Sequence, residues 1–380
     1  MCSNRTKHSY DTIVVGAGIA GCCSAYMLQE KGQKVLLVDR STVAASGGSG
    51  AAGAFVSPKI GKGSALQTLT NEAFMFAKDF YSKNFPKDFY QTGVIRIPKD
   101  EDDANKFSVY EEFNSSQYSW VSKEKLEQIG VNNSKDSFLF EDAGVCDAPK
   151  MCESILSKIA FKQFEVDSIN QYNETWILAN SKGETISSKN IILATGYENN
   201  IFEMKYMGIR GTWGSRGDYY SKLNLTVSMH KSISISANID GLVKIGATHN
   251  KSKTPCKVCN GNPLEGLFST ATQMVDTSDF KIKEIFCGMR SGSKDYFPLV
   301  GKVIDVEFML KTYPNLLKGA KPPLEHIKNI YICNGLGGRG FVFAPLMAKL
   351  LAEHIVDKEP IDIRVDPDRL FLKWCRKHRG

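Results

Sequence analysis

The chain has 380 residues, 42% of them hydrophobic and 23% charged, which is the make-up of a globular protein long enough for two joined domains. No apolar run approaches the length of a membrane span, and the polar residues 1–8 lead straight into a strand, so neither a membrane anchor nor a signal peptide is expected. A net charge of +7, from 48 basic and 41 acidic residues, permits a polyanionic partner without requiring one, and ten cysteines without a disulfide-scaffold rhythm suit a reducing cytoplasm.

Residues 12–15 form a β-branched run, followed by a glycine turn and an alanine-rich helical stretch to about residue 31. Gly32 sits where a helix-terminating glycine belongs, and a strand resumes over 35–38, completing a βαβ unit. Apolar spacing predicts a long helix over 71–85, short strands and polar loops over 88–140, a helix over 148–160 and a buried strand over 190–193. Between about 206 and 286 alternation dominates, as in Ser232-Ile233-Ser234-Ile235-Ser236, and predicts an antiparallel sheet. A strand over 330–333, a second glycine turn and a helix over 344–356 follow. The fold class is α/β. Residues 1–87, 142–205 and 286–380 make a discontinuous Rossmann-type domain, and 88–141 with 206–285 make an α+β substrate domain with a mainly antiparallel sheet. The last residues place Lys373, Arg376, Lys377, His378 and Arg379 around Trp374, as a solvated tail or a phosphate-contacting one.

The first turn, Gly16-Ala17-Gly18-Ile19-Ala20-Gly21, follows a strand and opens a helix. Gly16 permits the tight turn, Gly18 a close backbone approach to a pyrophosphate, and Gly21 close helix–strand packing. Asp39, with Arg40 beside it, ends the next strand, where a carboxylate accepts hydrogen bonds from an adenosine ribose. Ser49, Gly50 and Gly53 belong to a run of small residues able to lie against a flavin and its pyrophosphate. Gly337, Gly338, Arg339, Gly340 and Phe341 form a second strand-to-helix turn, whose positive end suits a reduced flavin ring. The two turns together favour FAD, held non-covalently, over NAD.

These segments, with Ala194-Thr195-Gly196 and the run Gly288-Met289-Arg290 through Gly301, resemble the D-amino-acid oxidase family of flavoenzymes over essentially the whole chain. A narrower likeness, to the oxidase domain of the bifunctional tRNA-modification enzymes called MnmC, rests on Asn71–Ala77, Cys287-Gly288-Met289-Arg290 and Pro360-Ile361-Asp362 through Leu370. No methyltransferase domain fits ahead of Gly16, so a stand-alone oxidase is expected, with a separate methyltransferase as a conceivable partner. The likeness implies tRNA as substrate. A wobble 5-carboxymethylaminomethyluridine would be oxidised to an imine, which water hydrolyses to glyoxylate and aminomethyluridine, with molecular oxygen as acceptor. Arg290 is the residue expected to hold the substrate carboxylate, since a planar guanidinium matches it bidentately. Lys294 and Tyr296 are weaker candidates for the same site. Oxidation of a free small amine, such as glycine, sarcosine or a D-amino acid, is the alternative.

Gly211-Thr212 departs from the Gly-Gln common in the family. His249 reads as a surface loop residue rather than a base. Cys256-x-x-Cys259 lacks a second pair, so no metal is expected there. Cys22 and Cys23 read as small core residues.

Overall fold

A computed structural model describes residues 9–132, 134–198, 201–250 and 262–377. The Cys256-x-x-Cys259 loop, His378 and Arg379 lie outside the described residues.

The first sheet is built around the strand Tyr10–Val15, which pairs in parallel with Val35–Asp39 on one side and Thr185–Leu193 on the other. Ile13 is thereby aligned with both Leu36 and Ile191. Ala160–Gln163 extends the sheet beyond Val35–Asp39, and His326–Asn334 runs parallel to Thr185–Leu193. Alternation decides which side each residue serves. Val14, Leu37, Ile192 and Cys333 face the helices Ile19–Glu30 and Gly340–Val356, whereas Ile13, Leu36, Ile191 and Ile332 face a second core. Burial on both faces explains why these strands read as continuous apolar runs. Cys22 and Cys23 are fully buried in the first of these cores, as expected.

The second sheet has the order Lys281–Gly292, Arg210–Tyr220, Leu242–Gly246, Ser234–Ile235, Ser228–His230, Val94–Arg96, Ser137–Phe140, Ser119–Val121. It is antiparallel except where Ser228–His230 runs parallel to Val94–Arg96. The expected domain boundary at 285/286 falls inside Lys281–Gly292, a strand that pairs along its length with Arg210–Tyr220 and so belongs to this second sheet.

Several expected elements need correction. The long helix starts at Ala65, capped by the Ser64 hydroxyl, which accepts from the Gln67 N–H at 3.2 Å. Within 88–140 two helices occur, Glu101–Glu112 and Lys123–Gln128. Each buries a single side chain, Phe107 or Leu126, so apolar periodicity hardly marks them. The helix expected over 148–160 stops at Leu156, and Ala160 already begins an edge strand. Helix Asn262–Thr272 interrupts the alternating region. The tail is a helix, Asp368–Lys377, that buries Leu370, Phe371 and Cys375 against the first sheet's outer core. No helix among the described residues is long and apolar enough to cross a membrane.

Candidate active site

Parallel strands of the first sheet all deliver their carboxyl ends to one place, the crevice where ligands of open α/β sheets bind. Gly16 follows Val15, Ala194-Thr195-Gly196 follow Leu193, Gly335 follows Asn334, and Asp39 ends its own strand. Together with the loop 46–53 and the face of the second sheet they line a cavity of about 1100 Å³.

The first turn cannot be built with larger residues. Gly16 has φ +109°, and a Cβ there would stand 2.5 Å from the Ala194 carbonyl oxygen. A Cβ on Gly21 would stand 1.8 Å from the Gly16 oxygen. Gly21 and Ala17 therefore shape the turn from behind, while Gly16, Gly18, Ile19 and Ala20 line the cavity. The Ala17 N–H donates to Asp39 Oδ2 at 2.7 Å, and the Asp39 Oδ1 accepts from the Ser41 N–H at 2.8 Å. The Ser49 hydroxyl accepts from the Ile19 N–H at 3.0 Å, capping the helix where no acidic residue stands in the first turn.

Of the loop residues, Ser49 and Gly53 line the cavity, but Gly50 does not. Its N–H closes a turn onto the Ala45 carbonyl at 3.0 Å. The loop packs directly on the second sheet: a Cβ on Gly48 would stand 2.4 Å from the Met289 oxygen. Arg216 fastens this contact from below. Its guanidinium pairs with Asp218 at 2.8 and 3.2 Å, lies 4.1 Å from the Phe286 ring centre, and donates to the carbonyls of Gly50 and Ala52. Ala194, Thr195, Gly196, Gly337, Gly338, Arg339, Gly340 and Phe341 all line the cavity. Arg40 reaches its rim and pairs with Glu198 in solvent. Asn334, absent from the sequence reading, joins two strand ends by donating to the Gly196 carbonyl at 2.8 Å and accepting from the Gly335 N–H at 2.7 Å.

Arg290 lines the cavity from the strand Lys281–Gly292. Its Nη1 donates to the Thr248 carbonyl at 3.2 Å, and no carboxylate pairs with it among the described residues. Burial lowers its pKa. Tyr296 lies at the cavity mouth, 74% exposed. Lys294 is different: it points to solvent, where Lys377, Lys373 and Arg210 crowd it and lower its pKa, and it does not line the cavity. The loop after Arg290 is braced by the C-terminal segment, since Arg369 pairs with Asp295 at 2.9 and 3.0 Å and donates to the carbonyls of Phe297 and Pro298.

His249 is exposed, as the surface reading has it, and also borders the cavity, where partial burial and the adjacent Arg290 lower its pKa. Sequence reasoning missed a further group. Arg96 and His230 are register partners on neighbouring strands, His230 pairs with Ser234, and Ser234 with Gly246, so one row across the sheet faces the cavity. Burial, then Arg96 and Arg339, push the His230 pKa down to about 2, leaving a neutral ring hydrogen-bonded to Ser234 at 2.7 Å. The available signal was an arginine inside the apolar run Val94-Ile95-Arg96-Ile97. Among the described residues no group of three or more His, Cys, Asp or Glu could hold a metal.

Residues 11–354 match the family model described as FAD dependent oxidoreductase, DAO. Curated relatives include the tRNA 5-methylaminomethyl-2-thiouridine biosynthesis bifunctional protein MnmC of Stutzerimonas stutzeri, 24% identical over 97% of this chain and 60% of the relative. The MnmC of Vibrio campbellii is 25% identical over 99% of this chain and 62% of its own length. The chain thus spans about three-fifths of these relatives. Among solved structures, glycine oxidase from Bacillus cereus superposes with a TM-score of 0.75 at 18% identity, over 93% of this chain and 96% of that one. Iminodiacetate oxidase from Chelativorans gives 0.74 at 16% identity, over 94% and 98%. The glycine turn and cradle described above fit FAD: the start of the helix would face the pyrophosphate, Asp39 would accept from the ribose, and the loop 46–53 carries only glycine, alanine and serine. The chain belongs to the DAO family of FAD dependent oxidoreductases.

Proposed function

We propose that this enzyme removes the carboxymethyl group from 5-carboxymethylaminomethyl(-2-thio)uridine at the tRNA wobble position, yielding the 5-aminomethyl nucleoside and glyoxylate. The observation that carries this reading is Arg290, a cation in the cavity whose single hydrogen-bond partner among the described residues is a neutral carbonyl. It is free to clamp a carboxylate. The relatives' role in tRNA 5-methylaminomethyl-2-thiouridine biosynthesis supports the choice of nucleoside.

Bound FAD supplies the two-electron acceptor for a hydride from the methylene carbon. Arg290 holds the carboxylate so that the methylene has one orientation, and its charge disfavours the protonated amine, keeping the nitrogen lone pair available. Loss of hydride and the amine proton leaves an imine, and water adds to it and splits it into amine and aldehyde. Tyr296, exposed at the mouth, offers a ring on which a nucleobase can stack. Oxygen is the proposed acceptor that completes the cycle, a reducing cytoplasm the proposed compartment, and a separate methyltransferase the proposed user of the product. Lys294 is proposed to act from outside the cavity, on the substrate's phosphates.

A second reading, oxidation of a free small amine, is favoured by the folds of glycine oxidase and iminodiacetate oxidase. The deciding experiment incubates the flavin-loaded protein with tRNA carrying the modification and analyses the nucleosides. Conversion to the aminomethyl form is expected. Persistence of the carboxymethylaminomethyl form, with flavin reduction by glycine or sarcosine, would refute the tRNA reading.

A further inference from the structure

Arg96 enters the cavity from a strand whose other residues, Val94, Ile95 and the following Ile97, are buried and apolar. Among the described residues its guanidinium has neither a hydrogen bond nor an ion pair. Two more cations share its wall. Arg339 reaches only the Ser57 carbonyl, at 3.4 Å, and the Lys59 ammonium has no partner among the described residues. The three sense one another. Burial lowers the Arg96 pKa to about 9, with Arg339 next in weight and Asp103 only partly opposing. Lys59 is lowered by burial, then by Arg339 and Arg96. Burial brings Arg339 down to about 10.

Arg290 stands apart from Arg96, although its Cδ would lie 3.9 Å from a Cβ on Gly338, the neighbour of Arg339. Four strands of the second sheet lie between its strand and that of Arg96, and its charge falls on His249 instead. The cavity therefore has two positive centres, of which the substrate carboxylate occupies one. Retaining three half-buried cations without a counter-ion is costly, and a bound anion removes that cost.

We propose that Lys59, Arg96 and Arg339 form a second anion subsite that takes a phosphate or a carboxylate carried by the substrate at a distance from the carboxylate on Arg290. The inference rests on the amine-oxidase reading above and narrows its substrate class to molecules with two anionic groups. Two guanidinium planes and an ammonium match the several oxygens of such a group. In a nucleotide substrate the second anion is a backbone phosphate; in a small amine it is a second carboxylate.

The test is anaerobic flavin reduction of the holoenzyme with two substrate pairs. One pair is 5-carboxymethylaminomethyluridine and its 5′-monophosphate; the other is sarcosine and iminodiacetate. Within one pair the dianion is expected to be preferred about tenfold or more, and that pair names the source of the second anion. Arg96→Met is expected to bring the preference close to one, Arg96→Lys to recover part of it, and inorganic phosphate to compete in the wild type far better than in Arg96→Met. Equal use of both members of both pairs overturns the subsite. So does an Arg96→Met preference equal to that of the wild type, or an Arg96→Met protein that no longer retains FAD, which would assign the cluster to the cofactor. The two readings fail separately. If neither uridine compound reduces the flavin but an Arg96-dependent preference for iminodiacetate persists, the tRNA reading falls and the subsite stands. If both uridine compounds react equally and sarcosine and iminodiacetate do too, the subsite falls alone.

Discussion

Arg216 is 1% exposed and Asp218 7%, and their bidentate contact lies beneath the loop that faces the cofactor site. Replacing Arg216 with methionine keeps the length of the side chain but strands the Asp218 carboxylate away from water. Breaking a buried pair from one side costs about 3–5 kcal/mol. The carbonyls of Gly50 and Ala52 lose their donor as well, adding roughly 1–3 kcal/mol. A chain of this length unfolds with an entropy on the order of 0.8 kcal/mol/K if it melts as one unit, so a loss of about 5 kcal/mol lowers the melting temperature by roughly 6 °C. Differential scanning fluorimetry of the FAD-free protein measures this directly. The double variant Arg216→Met/Asp218→Leu, which removes both charges, should regain most of the loss. FAD affinity, read by flavin fluorescence, should weaken in both variants, because the loop 46–53 has lost its tether. A melting point within 1 °C of the wild type, or a double variant no better than the single one, would refute the idea that this pair holds the loop.

Gly21→Ala places a methyl group against the Gly16 carbonyl and should yield a folded but colourless protein; a variant that purifies yellow at full occupancy contradicts the role given to the turn. Arg290→Met should retain FAD, by absorbance, while flavin reduction by substrate slows at least a hundredfold; loss of the flavin would mean that Arg290 serves the cofactor. The His230 pKa is lowered in the fold, so below about pH 6.5 the unfolded chain takes a proton that the folded one refuses, and stability falls with pH until about pH 2. At pH 5 this single group costs about 2 kcal/mol relative to pH 8, and His230→Gln should remove that part of the slope in urea titrations. Identical pH slopes for the two proteins would show that the ring is charged when folded.

The glycine turns were legible because their chemistry is local. Gly16, Gly18 and Gly21 are dictated by a strand-to-helix turn whose atoms lie within a few residues of one another, and Asp39 ends the very next strand. Arg290 was legible through resemblance. Arg96, His230 and Lys59 were not, because their meaning depends on which strands become neighbours. Nothing near residue 96 announces that residue 230 will lie beside it in parallel register. The same holds for Asn334 and Arg216, which act on the carbonyls of Gly196, Gly50 and Ala52, far away in sequence. Lys294 shows the reverse error. Proximity to Arg290 in sequence suggested a shared site, but four positions along a turn carry the side chain out to the solvent beside Lys377. The helices Glu101–Glu112 and Lys123–Gln128 escaped notice because solvent covers most of their surface, although the cap at Asp100 and the acidic first turn were readable.

The pairing order of the first sheet also sets a timetable. Ile13 meets Leu36 within a short stretch of chain, but its other neighbour, Ile191, arrives much later, and Ile191 must then wait for Ile330. The last wall of the cofactor crevice, from Gly335 to Phe341, is translated after every other segment that lines it. Until then Val14, Leu37 and Cys22 lack the helix Gly340–Val356 that covers them. Flavin capture accordingly waits for that segment, and until it emerges the nascent chain carries an open apolar sheet face.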